Sequence, residues 1–173
     1  MADLDFNRLV EEHYQPLYRF AFSLSRNEPD ACDLVQQAFA TWAAKGHQLR
    51  DTSKAKTWLF TTLYREFLGQ RRRVAHLVDP DENTEFVEPP DVSPSAARAI
   101  DAASVQRALH RLEERYRAPV TLFYMEQHSY REIAEILAVP IGTVMSRISR
   151  GKAELRKAVG ELAHAETRKV IPM

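Results

Sequence analysis

Residues 128–159 read HSYREIAEILAVPIGTVMSRISRGKAELRKAV and carry the most specific structural signal in the chain. Ser129 and Glu132 have the S-x-x-E spacing of a capping box, which predicts a helix beginning at Tyr130. The Ala-Val-Pro run at 138–140 ends this helix, and a second helix begins shortly after it. Two short helices joined by a turn of three or four residues predict a helix-turn-helix, the motif that places its second helix in the major groove of DNA.

The two sides of this second helix differ in chemistry. At about 100° per residue, the side predicted to pack inward consists of Ile141, Val144, Ile148, Gly151 and Leu155. The opposite side presents Met145, Ser146, Ser149 and Arg150, flanked by Arg147 and Lys152. Arginine can bridge guanine O6 and N7, serine can bond to bases or phosphates, and lysine neutralises phosphate. This side therefore predicts a DNA-reading surface; the alternative is an amphipathic hairpin with a solvated basic face.

Charge is segregated along the 173 residues, although the formal net charge is zero. Residues 1–75 hold 11 Lys/Arg and 9 Asp/Glu, a net +2, and residues 102–173 hold 12 and 8, a net +4. Residues 76–101 between them hold 1 and 7, a net −6, together with four prolines. Because proline blocks helix continuation, this acidic segment is predicted to be a linker between two blocks with helical spacing of apolar residues.

The first block predicts three helices. The SRNEP run at 25–29 separates the first from the second, with Pro29 in the first turn of the second helix. Gly46 is predicted to end the second helix, and Ser53 to cap a third that runs toward Gly69. In the second block, Pro119 is predicted to start a short helix ahead of the helix-turn-helix.

The second predicted helix has an unusual polar side. Leu34, Val35, Ala38, Phe39 and Trp42 fall on its apolar side, and Asp33, Gln36, Gln37, Ala40 and Ala44 lie opposite. An ordinary solvent-facing side would carry more Lys and Glu. Amides and alanines can approach another surface closely at little desolvation cost, which favours a docking role over a merely polar side.

The sequence argues against several other classes of protein. Its five glycines form no phosphate-binding loop, its six histidines have no metal-ligand spacing, and no catalytic triad or carboxylate pair stands out. We therefore expect no enzymatic activity and no cofactor or metal. Cys32 is alone and is predicted to be a small buried hydrophobe. The N-terminus is not a signal peptide and no apolar run is long enough to span a membrane, so a soluble, cytoplasmic protein is expected.

The helix-turn-helix resembles that of bacterial sigma factors, particularly the short extracytoplasmic-function (ECF) subgroup. The matching residues are YREIA at 130–134, PIGTV at 140–144, SRI at 146–148 and Arg150. In the first block, DLVQQAF at 33–39 resembles the family's polymerase-binding helix, and WLF at 58–60 resembles the start of its promoter-melting helix. The resemblance covers about residues 5–75 and 102–160, in the family's order.

The resemblance implies an all-α chain of two small helical domains. Residues 1–75 would be the region 2 domain, which binds core RNA polymerase and recognises and melts the −10 element. Residues 76–101 would be the acidic linker, and residues 102–165 the region 4 domain, which recognises the −35 element. Core RNA polymerase and promoter DNA are the implied partners, together with an anti-sigma factor or another regulator; direct membrane insertion is not expected.

The resemblance also implies site residues on three surfaces. The polymerase-binding surface would comprise Asp33, Gln36, Gln37 and Ala40. The −10 surface, where a base enters a protein pocket, would comprise Lys54, Lys56, Phe60, Tyr64, Arg65, Arg71, Arg72 and Arg73. The −35 surface would comprise Arg131, Thr143, Met145, Ser146, Arg147, Ser149, Arg150 and Lys152.

Two positions depart from the family pattern and prevent promoter sequence from being copied from relatives. Arg65 stands where the third helix often carries asparagine, and Met145 stands where a basic residue often precedes Ser-Arg. Methionine donates no hydrogen bond and favours apolar contact, for example with a thymine methyl group. For the arginines at 71–73 the alternative to phosphate contacts is a solvated helix end.

Two alternatives for the whole chain remain beside a sigma factor. One is a conventional helix-turn-helix regulator whose N-terminal block senses a ligand or dimerises. The other is a sigma-like protein that binds polymerase or a regulator without initiating transcription. For the acidic linker, occupation of the polymerase cleft where RNA later passes and a flexible, self-repelling tether stay equally open.

Overall fold

The computed structural model describes residues 5–77 and 102–170, which fold into helices with no strand among them. Three helices form an N-terminal group and four form a C-terminal group, which confirms the predicted all-α fold. Their bounds are α1 Phe6–Ser25, α2 Glu28–Lys45, α3 Ala55–Leu77, α4 Ala102–Arg111, α5 Glu114–Val120, α6 Tyr130–Leu137 and α7 Ile141–Val170. Most of the predicted linker lies outside the described residues, although α3 continues through its first two positions. None of the described helices is long and apolar enough to cross a membrane.

The break between α1 and α2 follows the predicted local signals. Arg26 adopts a left-handed conformation with φ 61° and ends α1. Asn27 caps α2 by accepting a hydrogen bond from the backbone N–H of Asp30 at 2.8 Å, and Pro29 lies in the first turn. The capping side chain satisfies a backbone donor that has no partner within the helix.

Gly46 follows α2 as predicted, but for a different reason than expected. Its backbone is right-handed, with φ −59°, so no left-handed turn requires a glycine there. A Cβ at this position would lie 2.6 Å from the ring of Trp42. Glycine is needed because the indole packs directly on the backbone.

The predicted start and end of α3 were both wrong. Asp51, not Ser53, caps the turn before α3: its carboxylate accepts hydrogen bonds from the Ser53 backbone N–H at 3.0 Å and hydroxyl at 2.6 Å. A 3₁₀ turn over Thr52–Lys54 follows, so the helix begins at Ala55. The helix also passes through Gly69, because one interior glycine costs only about 1 kcal/mol and the arginines after it favour helix.

The start of α5 also differs from the prediction. Pro119 does not begin the helix but lies near its end, since α5 starts at Glu114. The Arg117 N–H already bonds to the Glu113 carbonyl at 3.0 Å, two residues before the proline. A π-helical turn over Thr121–Met125 then leads toward α6.

The helix-turn-helix forms as predicted from α6 and α7. Ser129 and Glu132 make both hydrogen bonds of the capping box, at 3.2 and 2.7 Å, and Ala138 ends α6 with φ 52°. The inward side of α7 is buried at Val144, Ile148 and Gly151, and a Cβ on Gly151 would lie 2.5 Å from a Val120 methyl carbon.

The prediction that Ile141 packs inward was wrong, since 48% of this residue is exposed. Ile141 is the first residue of α7, and it lies at the edge of the surface that α7 buries against α5 and α6. Its helical register is correct, but the hydrophobic core does not extend to that end of the helix.

One hydrophobic core joins the two helical groups. Leu17, Phe20 and Leu59 from the N-terminal group belong to the same buried cluster as Leu122 and Ile133 from the C-terminal group. The main contacts between the groups are of α3 with α6 and of α1 with α5. The two groups therefore pack against each other, which no local sequence pattern indicated.

Candidate polymerase and DNA interfaces

The outer side of α2 is arranged as the sequence predicts. Asp33, Gln36, Gln37 and Ala40 are all exposed, and the residues between them that point the other way are buried. Gln70 of α3 donates a hydrogen bond to the Asp33 carboxylate at 3.0 Å, which ties the start of this surface to α3. The surface carries little charge: one carboxylate lies among amides and small side chains.

The outer side of α7 is open to solvent. Met145, Ser146, Ser149, Arg150 and Lys152 are exposed, as is Arg131 at the start of α6. Thr143 and Arg147 are half-buried. The Ser146 hydroxyl donates to the Thr143 carbonyl at 3.1 Å, so it bonds to its own helix in this structure. The side thus offers two hydroxyls, a thioether and several cations along consecutive turns.

The residues predicted for the −10 surface divide into two sets. Lys54, Arg65, Arg72 and Arg73 are exposed. Arg71 is exposed too, but its guanidinium pairs with the Glu114 carboxylate of α5. The other three, Lys56, Phe60 and Tyr64, lie four residues apart on the side of α3 that faces the C-terminal group. The structure therefore separates side chains that the sequence had placed on one surface.

The covered set is held by specific contacts. Phe60 is fully buried, and its ring meets the His128 ring edge to face at 4.6 Å between centroids. The Lys56 ammonium donates to the Glu126 carbonyl at 2.7 Å. Tyr64 is half-buried, and burial raises the pKa of its hydroxyl above the usual value. In this arrangement Phe60 is inaccessible, and Lys56 and Tyr64 are only partly exposed.

A polar cluster lies at the centre of this contact between the groups. The Arg19 guanidinium of α1 binds the Glu126 carboxylate through two hydrogen bonds, at 3.0 and 3.1 Å. Burial raises the pKa of Glu126, although the bonds from Arg19 act in the opposite direction. Burial, with the nearby Lys56 charge, lowers the pKa of His128 to about 4. Sequence reasoning missed this cluster because Glu126 and His128 lie between helices, outside any helical pattern.

A cleft of about 470 Å³ opens between α2, the turn after it, and α3. It is lined by Thr41, Lys45, Gln48, Leu49, Trp58, Thr61, Thr62, Arg65 and Glu66. The Trp58 ring stands edge to face against Trp42, with centroids 5.1 Å apart, which fixes one wall. Hydroxyls, an amide and charged groups around an aromatic wall suit a flat polar ligand such as a nucleobase.

Only Arg65 of the cleft belonged to the predicted −10 residues. The sequence did contain a signal for the others, because positions 58, 61, 62 and 65 form a helical stripe beside the apolar stripe of α3. Lys45 ends α2 and Gln48 lies in the turn after it, so their approach to α3 depends on tertiary packing. Within the described residues no group of His, Cys, Asp and Glu could hold a metal ion.

Two family models match the chain, one over each helical group. Residues 9–76 match the family model for sigma-70 region 2, and residues 102–155 match that for sigma-70 region 4. The chain is 34% identical over 161 residues to the ECF RNA polymerase sigma factor SigM of Mycobacterium tuberculosis, covering 91% of this chain and 78% of that protein.

Solved structures show the same fold. The co-crystal structure of the sigma factor RpoE with the anti-sigma factor NepR, from Bartonella quintana, matches with a TM-score of 0.77 and 31% identity, covering 90% of this chain and 97% of that one. The structure of CnrH with the cytosolic domain of CnrY matches with a TM-score of 0.62 and 23% identity, covering 90% and 88%. The second likeness concerns the fold alone.

Proposed function

This chain belongs to the ECF group of RNA polymerase sigma factors, which direct promoter-specific transcription initiation, and we propose that its two domains divide promoter recognition between them. The C-terminal domain reads the −35 element as duplex through α7. The N-terminal domain docks on core polymerase through α2 and opens the −10 element with α3 and the preceding turn. Sigma factors regulate initiation and do not catalyse RNA synthesis, so we propose that the protein acts as a specificity subunit of the polymerase and therefore works where that enzyme does, in the cytoplasm.

The −35 assignment is supported by the exposed side of α7. Arg150, Ser149 and Met145 lie on the side opposite the buried Val144 and Ile148. A helix inserted in the major groove with this orientation presents a bidentate donor for guanine and an apolar group for a thymine methyl. Arg131 on α6 and Lys152 on α7 are exposed and would contact phosphates.

The −10 assignment is supported by the cleft beside α3. A base that leaves the stack needs a pocket with an aromatic wall and polar groups for its edge, and Trp58, Thr61 and Gln48 offer these. Arg65 is exposed and lines the cleft, and Lys54 is exposed in the turn before α3; both would hold the flanking phosphates. We propose that this cleft receives the flipped base of the non-template strand.

The regulatory partner is proposed by analogy with the similar structures. RpoE was solved with an anti-sigma factor bound. We propose that this chain too is held inactive by an anti-sigma factor or another protein regulator. Purification of the tagged chain from its own host should yield a partner that is bound while the chain is inactive and lost when the chain becomes active.

The proposal rests on one observation. The same chain has an exposed amide surface on α2 and an exposed Ser/Arg surface on a helix-turn-helix. Run-off transcription with core polymerase tests it. Sequencing transcripts after overproduction of the chain supplies candidate promoters from its own host. We expect a discrete transcript from such a promoter only when both chain and core enzyme are present. Specific duplex binding by the chain alone, as a dimer and without any run-off product, would favour a conventional regulator.

A further inference from the structure

The beginning of α7 differs in chemistry from the rest of its exposed side. Farther along the helix, Ser149, Arg150 and Lys152 can all donate hydrogen bonds. At its start, Ile141 and Met145 are 48% and 51% exposed, and neither side chain has a donor. The two lie four residues apart, so they share one side of the helix. An exposed apolar pair on a surface that enters DNA needs an apolar group of the DNA as its partner.

We propose that Ile141 is a specificity-determining residue: with Met145 it contacts C5-methyl groups of pyrimidines at the end of the −35 element that meets the start of α7. Thymine presents this methyl group in the major groove. 5-Methylcytosine presents the same group, so the recognised chemistry is the methyl group itself. The inference rests on the proposed function, because it requires α7 to lie in the major groove. It extends the reading surface to a residue that the sequence pattern had assigned to the core.

The segment around Ile141 offers few other groups with which a base could be read. Positions 136–146, with the sequence ILAVPIGTVMS, contain no charged side chain. The Ser146 hydroxyl donates to the Thr143 carbonyl at 3.1 Å, and Thr143 itself is half-buried. Carboxylates accept from the amino group of cytosine, and none occurs at positions 136–153. Contact with methyl groups is therefore the readout that the start of α7 supplies best.

The charges of the helix-turn-helix favour DNA over a protein as the partner of this apolar pair. Arg131 on α6 and Arg150 and Lys152 on α7 are exposed, and none of the three forms an ion pair within residues 5–77 and 102–170. Apolar side chains together with unpaired cations match a duplex, whose major groove presents methyl groups between two rows of phosphates. A second copy of this chain would bring like charges together, which disfavours a dimer contact here.

Gly142, beside Ile141, gives independent support for a close contact at this end of α7. It is exposed, a Cβ built on it would meet nothing within 4 Å, and its φ is not positive. Nothing among the described residues therefore requires glycine there, and alanine has the higher helix propensity. A glycine that folding does not need leaves room for another surface to approach the backbone.

Promoter duplexes in which single thymines are replaced by uracil test the proposal, because uracil lacks only the methyl group. The duplex carries a promoter that the chain transcribes, and binding is measured for the chain in complex with core polymerase. Uracil at a −35 thymine that α7 contacts should weaken binding about fourfold. At the same base pair, tighter binding of 5-methylcytosine than of cytosine would show that either base can supply the methyl group, whereas equal binding of these two would leave thymine as its source.

Variants of the chain assign each methyl contact to a side chain. Ile141→Ala and Met145→Gln should each remove the uracil penalty at one base pair, whereas Met145→Leu, which stays apolar, should retain it. Val74→Ala, at an exposed apolar position of α3, is the matched control and should leave every uracil penalty unchanged. Gly142→Ala should weaken promoter binding without lowering the urea concentration at which the chain unfolds.

Failure of this inference can be distinguished from failure of the proposed function. Equal binding of thymine and uracil promoters, with normal run-off transcription, would overturn methyl recognition and leave the proposed function intact. A uracil penalty that persists in Ile141→Ala would remove this residue from the reading surface, and a loss of polymerase binding in the same variant would assign it to a protein contact. Absence of both promoter binding and run-off would instead contradict the proposed function.

Discussion

Arg150 and Met145 are two of the side chains through which α7 is proposed to contact bases. Both are exposed on the same side of α7, and neither contributes to the hydrophobic core. The buried side of α7 holds the helix in place. Folding therefore does not require an arginine at the exposed position 150. Its contribution should therefore appear in DNA binding and not in stability.

Arg150→Ala should weaken binding of the polymerase-bound chain to its promoter by about 1–3 kcal/mol if the guanidinium bridges a guanine. Binding should also become less selective at one base pair. Arg156→Ala, another exposed position on α7, is the control and should change affinity less. Unchanged affinity and promoter choice for Arg150→Ala would place this residue among ordinary solvated cations.

Two buried histidines make stability depend on pH. Burial is the main reason that the pKa of His110 and of His128 is lowered to about 4. Around His128, the Lys56 charge adds to this effect and Glu132 opposes it. Burial raises the pKa of Glu126, which gives a pH dependence of opposite sign. The unfolded chain takes up protons at about pH 6.5, where these folded imidazoles remain neutral.

The free energy of unfolding should therefore be highest above about pH 6.5 and fall as the pH drops toward 4, by at most about 1.4 kcal/mol per pH unit for each histidine. Urea unfolding at pH 7, 6 and 5 measures this slope. His110→Leu and His128→Leu should each make it shallower. A stability that does not change between pH 7 and 5 would show that neither imidazole is buried in its neutral form.

Helix ends and helix sides differ in how well they could be predicted. The capping box at Ser129 and Glu132 was predicted, because it is a contact between residues three apart in sequence. The cap at Asn27 was not predicted, although its contact with Asp30 has the same spacing. Pro119 and Ser53 misled because several residues nearby can begin a helix, and neighbouring contacts choose among them. The burial of Phe60 and the pairing of Glu126 could not be predicted, since both depend on contacts between the two domains; Arg19 and Glu126 are 107 residues apart in sequence.

Two glycines of α7 should respond in opposite ways to the same substitution. Gly151→Ala would place a Cβ 2.5 Å from Val120 and should lower the free energy of unfolding by about 1–3 kcal/mol. Gly160→Ala meets nothing within 4 Å and should raise it by about 0.5–1 kcal/mol, because alanine favours helix. Thermal or urea unfolding of both variants tests the packing of α7 on α5. An equal response would mean that this close approach does not exist in solution.

The exposed side of α2 should matter for docking and not for folding. Gln36→Lys with Gln37→Lys adds two positive charges to a surface proposed to lie against polymerase, where unpaired charges lose their hydration. Co-elution with core enzyme should fall at least about tenfold, which corresponds to about 1.4 kcal/mol. Glu11→Lys, an exposed position on α1, changes net charge by the same amount and should have no such effect. Normal co-elution of the double variant would remove this surface from the interface.

For the chain as a whole, the arrangement of domains connects stability with activity. A continuous core and a buried ion pair hold region 2 and region 4 together, whereas the proposed function requires the covered side of α3 to meet DNA. In the structure, Phe60 is therefore not available to DNA, whereas the proposed polymerase surface on α2 is exposed.

The central proposal is that this chain makes core polymerase open a specific promoter. The most direct test is the reactivity of unpaired thymines in the −10 region to permanganate. The promoter is taken upstream of a gene whose transcript rises when the chain is overproduced. Reactive thymines should appear on the non-template strand only when chain and core enzyme are both present, and they should disappear when the −10 sequence is replaced. A folded chain that co-elutes with core polymerase yet leaves every such promoter double-stranded would contradict the account.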